Sequence, residues 1–402
     1  MGGFAVYRLP NQTECTLVVQ HEGDPEELHS PSELNGRSGY VVAPFAVTER
    51  EPLLLIRADE VVRIPLFTSD MSKMLELTSE RLRGLVRSLN GEGERIFEGL
   101  VSEKVEGRPS SESLRCQEQK QPREQASAKL RYHIDFANFH AHLLTGEFQK
   151  IVLSRCSYEP LPVGVSPLQL FQKACERYPR MFVTLVSTRR SGLWLMATPE
   201  ILLEGSGRLW RTIALAGTME IPEQQQTPDW STKNIQEQRF VATYITECLE
   251  QFLLGEAAAD DFSHDIDEDG PYTTQAANVL HLRSDFNFSL PEHARIGNLL
   301  RRLHPTPAVC GLPKQQTFDF IRRNESISRS YYSGFTGPLF LNGETHLFVS
   351  LRCMQIAADG CHLYAGGGLL RDSVEEQEWQ ETESKLEAMR ALLVPHSSFT
   401  VG

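Results

Sequence analysis

Two carboxylates stand one helical turn apart near the C-terminus. Glu378 and Glu381 precede Lys385, which lies four residues after Glu381. Such a pair can hold a divalent cation through hard oxygen ligands, as Mg²⁺ prefers. A solvated helix face with one ion pair has the same spacing and is the more common case. The glycines at 366–368 just upstream would let a backbone approach a ligand closely, but they could equally form a turn.

A further carboxylate, Glu237, lies on a helix predicted to begin near Ser231. It stands four residues before Val241 and therefore shares the apolar face that continues through Ile245 and Phe252. A carboxylate on an apolar face needs a cation, a metal or a proton as its partner. The alternative is a position at the edge of that face, where the side chain reaches water.

Three other charged residues adjoin predicted strands. Lys150 precedes the buried run 151–153, where a neutral lysine in a desolvated site would be a base, and Glu200 at a strand exit is its candidate acidic counterpart. Arg352 alternates with Leu347, Val349 and Leu351, which predicts that it lies on one mostly buried strand over 346–356. An arginine there must meet an anion, either a structural carboxylate or a substrate carboxylate.

The elements around these residues predict an α+β fold. Short apolar runs at 181–187, 193–198 and 209–215 favour antiparallel strands, and Asn342-Gly343 and Asp359-Gly360 are hairpin signals. Residues 1–101 are predicted to be a strand-rich part of the fold without motifs. Residues 102–129 are polar and are predicted to be a flexible connector, and residues 130–395 contain all the candidate residues named above.

Charge and composition exclude several classes of protein. The 402 residues carry a net charge of −13, which is the opposite of a nucleic-acid-binding footprint. No run of apolar residues is long enough for a membrane helix, and no secretory leader is visible. The eight cysteines are scattered without a metal-binding spacing. We therefore expect a cytoplasmic protein with reduced thiols and no nucleic-acid or membrane partner.

Taken in order, eleven short segments resemble the chorismate-utilising enzymes, which include isochorismate, salicylate, anthranilate and aminodeoxychorismate synthases. The resemblance covers residues 130–395, and the order of the segments carries it more than any single one. The segments are Lys150-Ile-Val-Leu-Ser-Arg155, Ala197-Thr-Pro-Glu200, Leu215-Ala-Gly-Thr218, Lys233-Asn-Ile-Gln-Glu237, Val279-Leu-His281-Leu, His304-Pro-Thr306, Gly311-Leu-Pro313, Tyr332-Ser-Gly334, Ser350-Leu-Arg352, Ala365-Gly-Gly-Gly368 and Glu378-Trp-Gln-Glu381-Thr-Glu-Ser-Lys385.

The resemblance implies a fold, a cofactor and a set of site residues. The implied fold has two large antiparallel sheets that face each other, with flanking helices and the active site between the sheets. The implied cofactor is Mg²⁺, with Glu237, Glu378 and Glu381 as its carboxylates. The residues implied to bind chorismate are Gly217, Thr218, His281, Tyr332, Arg352, Gly366 and Lys385. His281 could instead be a core histidine bonded to backbone.

The identity of the nucleophile selects among the family's reactions. Members that add ammonia at C2 of chorismate carry Gln where Lys150 stands, and members that aminate C4 use a lysine at the position of Ala216. Water addition at C2 is therefore implied, with Lys150 as base and Glu200 as the acid that releases the C4 hydroxyl. The expected enzyme is an isochorismate synthase, an isomerase. A salicylate synthase and a non-catalytic chorismate-binding protein remain alternatives.

Two positions depart from the family's usual pattern. Asn234 stands where Asp or Glu is usual, and Gln238 stands where His is common. The first could weaken metal affinity through the loss of an outer carboxylate. The choice between menaquinone and siderophore biosynthesis stays open, and we expect a monomer without a glutaminase subunit.

Overall fold

The computed structural model describes residues 2–66, 111–162, 165–221, 228–256, 265–291, 294–357 and 360–394, with the backbone alone for 111–126. Within these residues the strands form two nine-stranded sheets in which every pairing is antiparallel. In spatial order, the first sheet consists of β14 (Gly311–Leu312), β7 (Lys150–Glu159), β18 (Cys361–Leu369), β17 (Cys353–Ile356), β9 (Gly192–Thr198), β8 (Phe182–Thr188), β1 (Gly3–Arg8), β2 (Glu14–Gln20) and β6 (Glu60–Pro65). The second consists of β12 (Ile266–Ala276), β13 (Val279–Ser289), β11 (Leu209–Glu220), β10 (Ile201–Ser206), β16 (Glu344–Val349), β15 (Phe335–Leu339), β4 (Gly39–Ala43), β5 (Leu53–Ile56) and β3 (Glu26–Leu28).

The two sheets face each other across an apolar core. The rings of Phe182 in β8 and Phe348 in β16 stack with their centroids 4.3 Å apart and their planes within 2°. The Tyr40 hydroxyl in β4 and the Thr184 hydroxyl in β8 are 2.7 Å apart, which adds a polar tie between the sheets. Aromatic pairs of this kind contribute both buried area and a preferred geometry.

Helices cover the outer faces of both sheets. The helices in the described residues are α1 (Ser111–Leu144), α2 (Pro167–Arg177), α3 (Thr232–Glu256), α4 (Ile296–Leu303), α5 (Lys314–Asn324) and α6 (Glu375–Leu393), together with a 3₁₀ turn at Pro31–Leu34. Helices α2 and α6 pack on the first sheet, and α3 and α4 pack on the second. Helices α1 and α5 form a smaller core with β7. The predicted fold of two facing sheets with flanking helices is confirmed. None of the described helices is long and apolar enough to cross a membrane.

The N-terminal residues take part in both sheets. Strands β1, β2 and β6 pair in the first sheet, and β3, β4 and β5 pair in the second. The described residues up to 66 thus contain six strands, and the rest of the predicted N-terminal part, 67–101, lies outside the described residues. The predicted hairpin at Asn342-Gly343 is also confirmed, because both residues have positive φ and Leu341 bridges to Glu344. The second hairpin signal includes Asp359, which lies outside the described residues.

Two sequence predictions differ from the structure. The predicted connector over 102–129 is helical from Ser111 onward, and 102–110 lie outside the described residues. Its Glu, Gln, Lys and Arg residues are good helix formers, so polarity did not imply a coil. The predicted strand over 346–356 is two strands, because the chain leaves the second sheet after Val349 and enters the first sheet at Cys353. Arg352 lies at this crossing with a φ of 42°, not within a strand.

The stacked phenylalanines give a test of the interface between the sheets. Replacing Phe348 with Ala should lower the free energy of unfolding by about 3–5 kcal/mol, because a fully buried ring leaves a cavity. Urea denaturation of the variant and the parent chain measures this difference. Leu209→Ala is the control, because Leu209 is 75% exposed and its truncation should cost less than about 0.5 kcal/mol. Equal losses in the two variants would contradict this packing.

Candidate active site

A cavity of about 60 Å³ lies between the sheets and brings together nine of the twelve predicted site residues. Those nine are Glu200, Gly217, Thr218, Glu237, His281, Tyr332, Arg352, Gly366 and Lys385. Lys150 does not line this cavity, but it forms an ion pair with Glu237, which does. Glu378 and Glu381 line an adjoining cavity of about 400 Å³, and Thr218 borders both spaces.

Two crossings between the sheets run side by side at this cavity. The first, between β9 and β10, carries Glu200, and the second, between β16 and β17, carries Arg352. Val349 N–H donates to the Glu200 carbonyl at 2.9 Å, and Ala197 N–H donates to the Arg352 carbonyl at 3.0 Å. The backbone thus holds an acidic and a basic side chain at the same wall of the cavity.

Glu200 is an almost fully buried carboxyl group. Burial raises its pKa to about 8, although the positive charges of Lys150, Arg352 and Lys385 act in the opposite direction. The group is therefore protonated at neutral pH and can donate a proton. This is the electrostatic state that the predicted role of general acid requires.

Lys150 and Glu237 form a buried ion pair between β7 and α3. Lys150 is 0% exposed, and its Nζ lies 2.9 Å from Glu237 Oε1. Burial acts to raise the pKa of Glu237, but the ammonium groups of Lys150 and Lys233 outweigh it and the pKa is lowered. The predicted need of Glu237 for a partner is met here by a cation.

Gly368 in β18 makes room for this pair. A Cβ at this position would lie 2.1 Å from Glu237 Oε1 and 2.9 Å from Lys150 Cε. The glycine run is therefore part of a strand that two charged side chains approach closely, and the alternative of a turn is wrong.

Consecutive hydrogen bonds link Arg352, His281 and the Gly217 carbonyl. The His281 Nδ1 lies 2.8 Å from the Gly217 carbonyl, so it carries the proton, and its Nε2 accepts from Arg352 Nη2 at 2.6 Å. Burial and then the charge of Arg352 hold the pKa of His281 well below its usual value. The buried Arg352 Nε forms no hydrogen bond with a described residue. A donor remains for an anion in the cavity.

Lys385 and Tyr332 face each other across Gly366. The Lys385 ammonium donates to the Gly366 carbonyl at 2.9 Å and to Glu381 Oε1 at 2.7 Å. A Cβ on Gly366 would lie 2.9 Å from the Tyr332 hydroxyl and 3.0 Å from the Leu153 carbonyl, so a side chain here would crowd both groups. An ammonium group, a phenol and an open stretch of backbone are suitable partners for a carboxylate.

The departure at Asn234 has a structural role. Its Nδ2 donates to the Thr218 carbonyl at 3.2 Å, and its own carbonyl would lie 3.0 Å from a Cβ at Gly217, whose φ is 70°. Gln238 is buried and its Nε2 donates to the Ala214 carbonyl at 3.2 Å. Both residues thus support strand β11, Asn234 at the bulge beside Gly217 and Thr218 and Gln238 at Ala214.

Glu378 and Glu381 have the oxygen chemistry of a divalent cation site. Glu378 is 2% exposed, its Oε1 forms an ion pair with Lys233, and its Oε2 has no hydrogen-bond partner among the described residues. A Cβ at Gly367 would lie 3.3 Å from Glu378 Oε2 and 3.7 Å from Glu381 Oε1, so glycine leaves this side of the carboxylates open.

The charge state of these carboxylates depends on the lysines beside them. Burial and then the charge of Glu381 raise the pKa of Glu378, and Lys233 opposes that shift. Within the part of the chain that is described, no three carboxylate, histidine or cysteine side chains converge as a metal site. The donor types fit a hard cation, provided that the lysines withdraw.

The sequence reasoning missed a second buried ion pair, between Glu325 and Arg329. Strand β14 pairs with β7 only at Lys150 and Ile151. Beyond it, Arg329 Nη2 donates to the Val152 carbonyl at 2.7 Å and Glu325 Oε1 accepts from Ser154 N–H at 2.8 Å. Beyond the end of β14, these two side chains therefore form the hydrogen bonds with the β7 backbone that a longer neighbouring strand would otherwise form. Its spacing of four residues was visible in the sequence, but its burial was not.

The fold and the sequence place this chain among the chorismate-binding enzymes. A family model described as chorismate binding enzyme matches residues 85–394, and the chain belongs to that family. A salicylate biosynthesis isochorismate synthase of Pseudomonas aeruginosa is 32% identical over 62% of this chain and 51% of its own length. The isochorismate synthase MenF of Escherichia coli is 31% identical over 62% of this chain and 56% of its own. The matched part thus spans about half the length of these relatives.

A solved structure shows the same fold over a larger part of the chain. The menaquinone-specific isochorismate synthase MenF of Escherichia coli superposes with a TM-score of 0.67 and 23% sequence identity, over 98% of this chain and 89% of that one. At this identity the likeness establishes the fold, which agrees with the two facing sheets described above.

The raised pKa of Glu200 predicts a pH dependence of stability. Its folded value of about 8 exceeds the ordinary 4.5, so the native state holds a proton that the unfolded state loses between these values. The stability this contributes is present below about pH 4.5 and is lost as the pH rises towards 8. Glu200→Gln should therefore gain stability relative to the parent chain across this window, at up to roughly 1.4 kcal/mol per pH unit.

Urea denaturation at several pH values between 5 and 8.5 measures this difference. Glu176→Gln on α2 is the control, because Glu176 is exposed. Its plot of unfolding free energy against pH should run parallel to that of the parent chain. A Glu200→Gln curve that also runs parallel to the parent would show that Glu200 ionises as an ordinary acid.

Proposed function

We propose that this chain is an isochorismate synthase, which isomerises chorismate by adding water at C2 and releasing the hydroxyl at C4. The observation that carries the proposal is a protonated Glu200 that lines the cavity, together with a fully buried Lys150 that lies beside Glu237, another residue of the cavity wall. Two titratable groups with opposite tasks are what an addition and elimination at one ring requires. The names of the relatives support the same reaction.

The substrate carboxylates would meet the basic groups of the cavity. Arg352 has an unused Nε donor, and Tyr332 and Lys385 lie on either side of Gly366. The cavity of about 60 Å³ is well below the size of a typical ligand site. The cavity must therefore widen before a ring enters, and Lys385 would leave the Gly366 carbonyl to turn towards the substrate.

The proton transfers follow from the two titratable groups. Uncharged Lys150 accepts a proton from water as the water oxygen bonds to C2, the ring double bonds shift, and the C4–O bond breaks. Glu200 gives its proton to the departing hydroxide, which leaves as water. Lys150 must be uncharged for this step, so Glu237 has to turn away from it in the reacting state.

The carboxylates of Glu237, Glu378 and Glu381 would hold Mg²⁺. The metal would neutralise and orient the substrate carboxylate that is conjugated with the diene. The unpaired Oε2 of buried Glu378, which faces the open Gly367, supports this assignment. We expect the enzyme to work in the reducing cytoplasm as a monomer without a glutaminase subunit, and no disulfide joins the seven described cysteines.

The purified chain incubated with chorismate and Mg²⁺, with and without an ammonium salt, tests the reaction. Chromatography and NMR should find chorismate and isochorismate in a reversible mixture without pyruvate. Salicylate with pyruvate would identify a salicylate synthase instead, and an aminated product that needs ammonium would identify an ammonia-adding enzyme. Chorismate binding without turnover would contradict the assignment as an enzyme.

The base assignment predicts the effect of Lys150→Gln. Glutamine keeps a hydrogen-bond donor beside Glu237 but cannot take a proton from water, so kcat should fall by about 10²- to 10⁴-fold. Calorimetric titration with chorismate should find binding retained. Lys129→Gln is the control, because Lys129 is an exposed lysine whose partner Glu376 does not line the cavity of about 60 Å³, and it should leave kcat unchanged. A Lys150→Gln variant with the parent's kcat would show that another group is the base.

A further inference from the structure

Lys233 is a charged residue of the site to which the proposed reaction gives no task. It lies in the first turn of α3, and its ammonium forms the ion pair with Glu378 Oε1. The Lys233 side chain is 26% exposed, whereas Glu378 is 2% exposed. Lys233 can therefore reach water, whereas its partner Glu378 cannot.

Lys233 completes a one-to-one pairing of lysines with the three proposed metal carboxylates. Glu237 has Lys150 at 2.9 Å, Glu381 has Lys385 at 2.7 Å, and Glu378 has Lys233. Three negative and three positive charges cancel. A divalent cation that approaches this arrangement meets no net negative charge, so its Coulombic gain is small until a lysine moves away.

Lys233 is the lysine most able to move. Lys150 is fully buried, and Lys385 also holds the Gly366 carbonyl. Lys233, in contrast, lines the cavity of about 400 Å³ that Glu378 and Glu381 also line. Solvent in that cavity can receive its ammonium, and the Glu378 Oε2 without a partner already offers one ligand atom.

We propose that Lys233 is a built-in competitor of the divalent cation at Glu378. The inference rests on the proposed function, because it takes the three carboxylates as metal ligands. While Lys233 stays at Glu378, the free protein binds a divalent cation weakly. A dianionic substrate adds the negative charge that the site lacks, so cation and substrate bind with positive coupling, and each raises the affinity of the other by the same factor.

Mn²⁺ titration of the full chain without chorismate tests this proposal, with the electron paramagnetic resonance signal of free Mn²⁺ as the readout. Lys233→Gln should bind Mn²⁺ about tenfold or more tightly than the parent, because one unit of competing positive charge is gone. Lys233→Arg keeps the charge and should stay within about twofold of the parent. Lys173→Gln removes a charge at the C-terminal end of α6, where Lys173 donates to the carbonyls of Leu392 and Val394, and should also stay within about twofold.

Glu378→Gln separates this inference from the proposed metal site. With saturating chorismate, the parent should bind Mn²⁺ and Glu378→Gln should lose most of that binding. If Mn²⁺ binding depends on Glu378 but Lys233→Gln is no tighter than the parent, the competition is overturned and the metal site stands. If the parent and Glu378→Gln bind alike with chorismate, both proposals fail. Thermal unfolding in EDTA confirms that each variant is folded before it is titrated.

Discussion

The buried ion pair between Lys150 and Glu237 is the constraint on which the rest of this structure depends. Lys150 belongs to the first sheet, and Glu237 belongs to a helix that packs on the second. Neither charge could stay buried without the other, and loss of one partner of such a pair typically costs about 3–5 kcal/mol. The N-terminal end of α3 must therefore come close to β7, and β18 must carry glycine at 368 to let both side chains meet.

The topology explains how distant parts of the chain supply a single cavity. At two adjacent points the chain crosses from one sheet to the other, and the two crossings hydrogen-bond to each other around Glu200 and Arg352. Ser350 at the second crossing also bonds to the backbone of Ser333 and Gly334, just after Tyr332. Where strands end, side chains no longer alternate between two packed faces. These irregular segments are therefore the places where polar groups can face a cavity inside an apolar core.

The sequence allowed much of the site to be predicted, and its limits have physical causes. Helical spacing correctly placed Val241 and Ile245 in the core of the second sheet. The pair of Glu381 and Lys385 follows from a spacing of four residues. The partner of Glu237 could not be predicted this way, because Lys150 is 87 residues away and in the other layer.

The same pairing that stabilises the site also constrains how a ligand can enter it. Three buried or half-buried carboxylates must have cations at all times, and the lysines supply them. A ligand that brought charge of only one sign would leave some of these groups uncompensated. A divalent cation and a dianion together add no net charge, so the lysines can turn to the substrate while the carboxylates turn to the metal. The small cavity of about 60 Å³ then describes a site closed by its own ion pairs, which a neutral combination of ligands is suited to open.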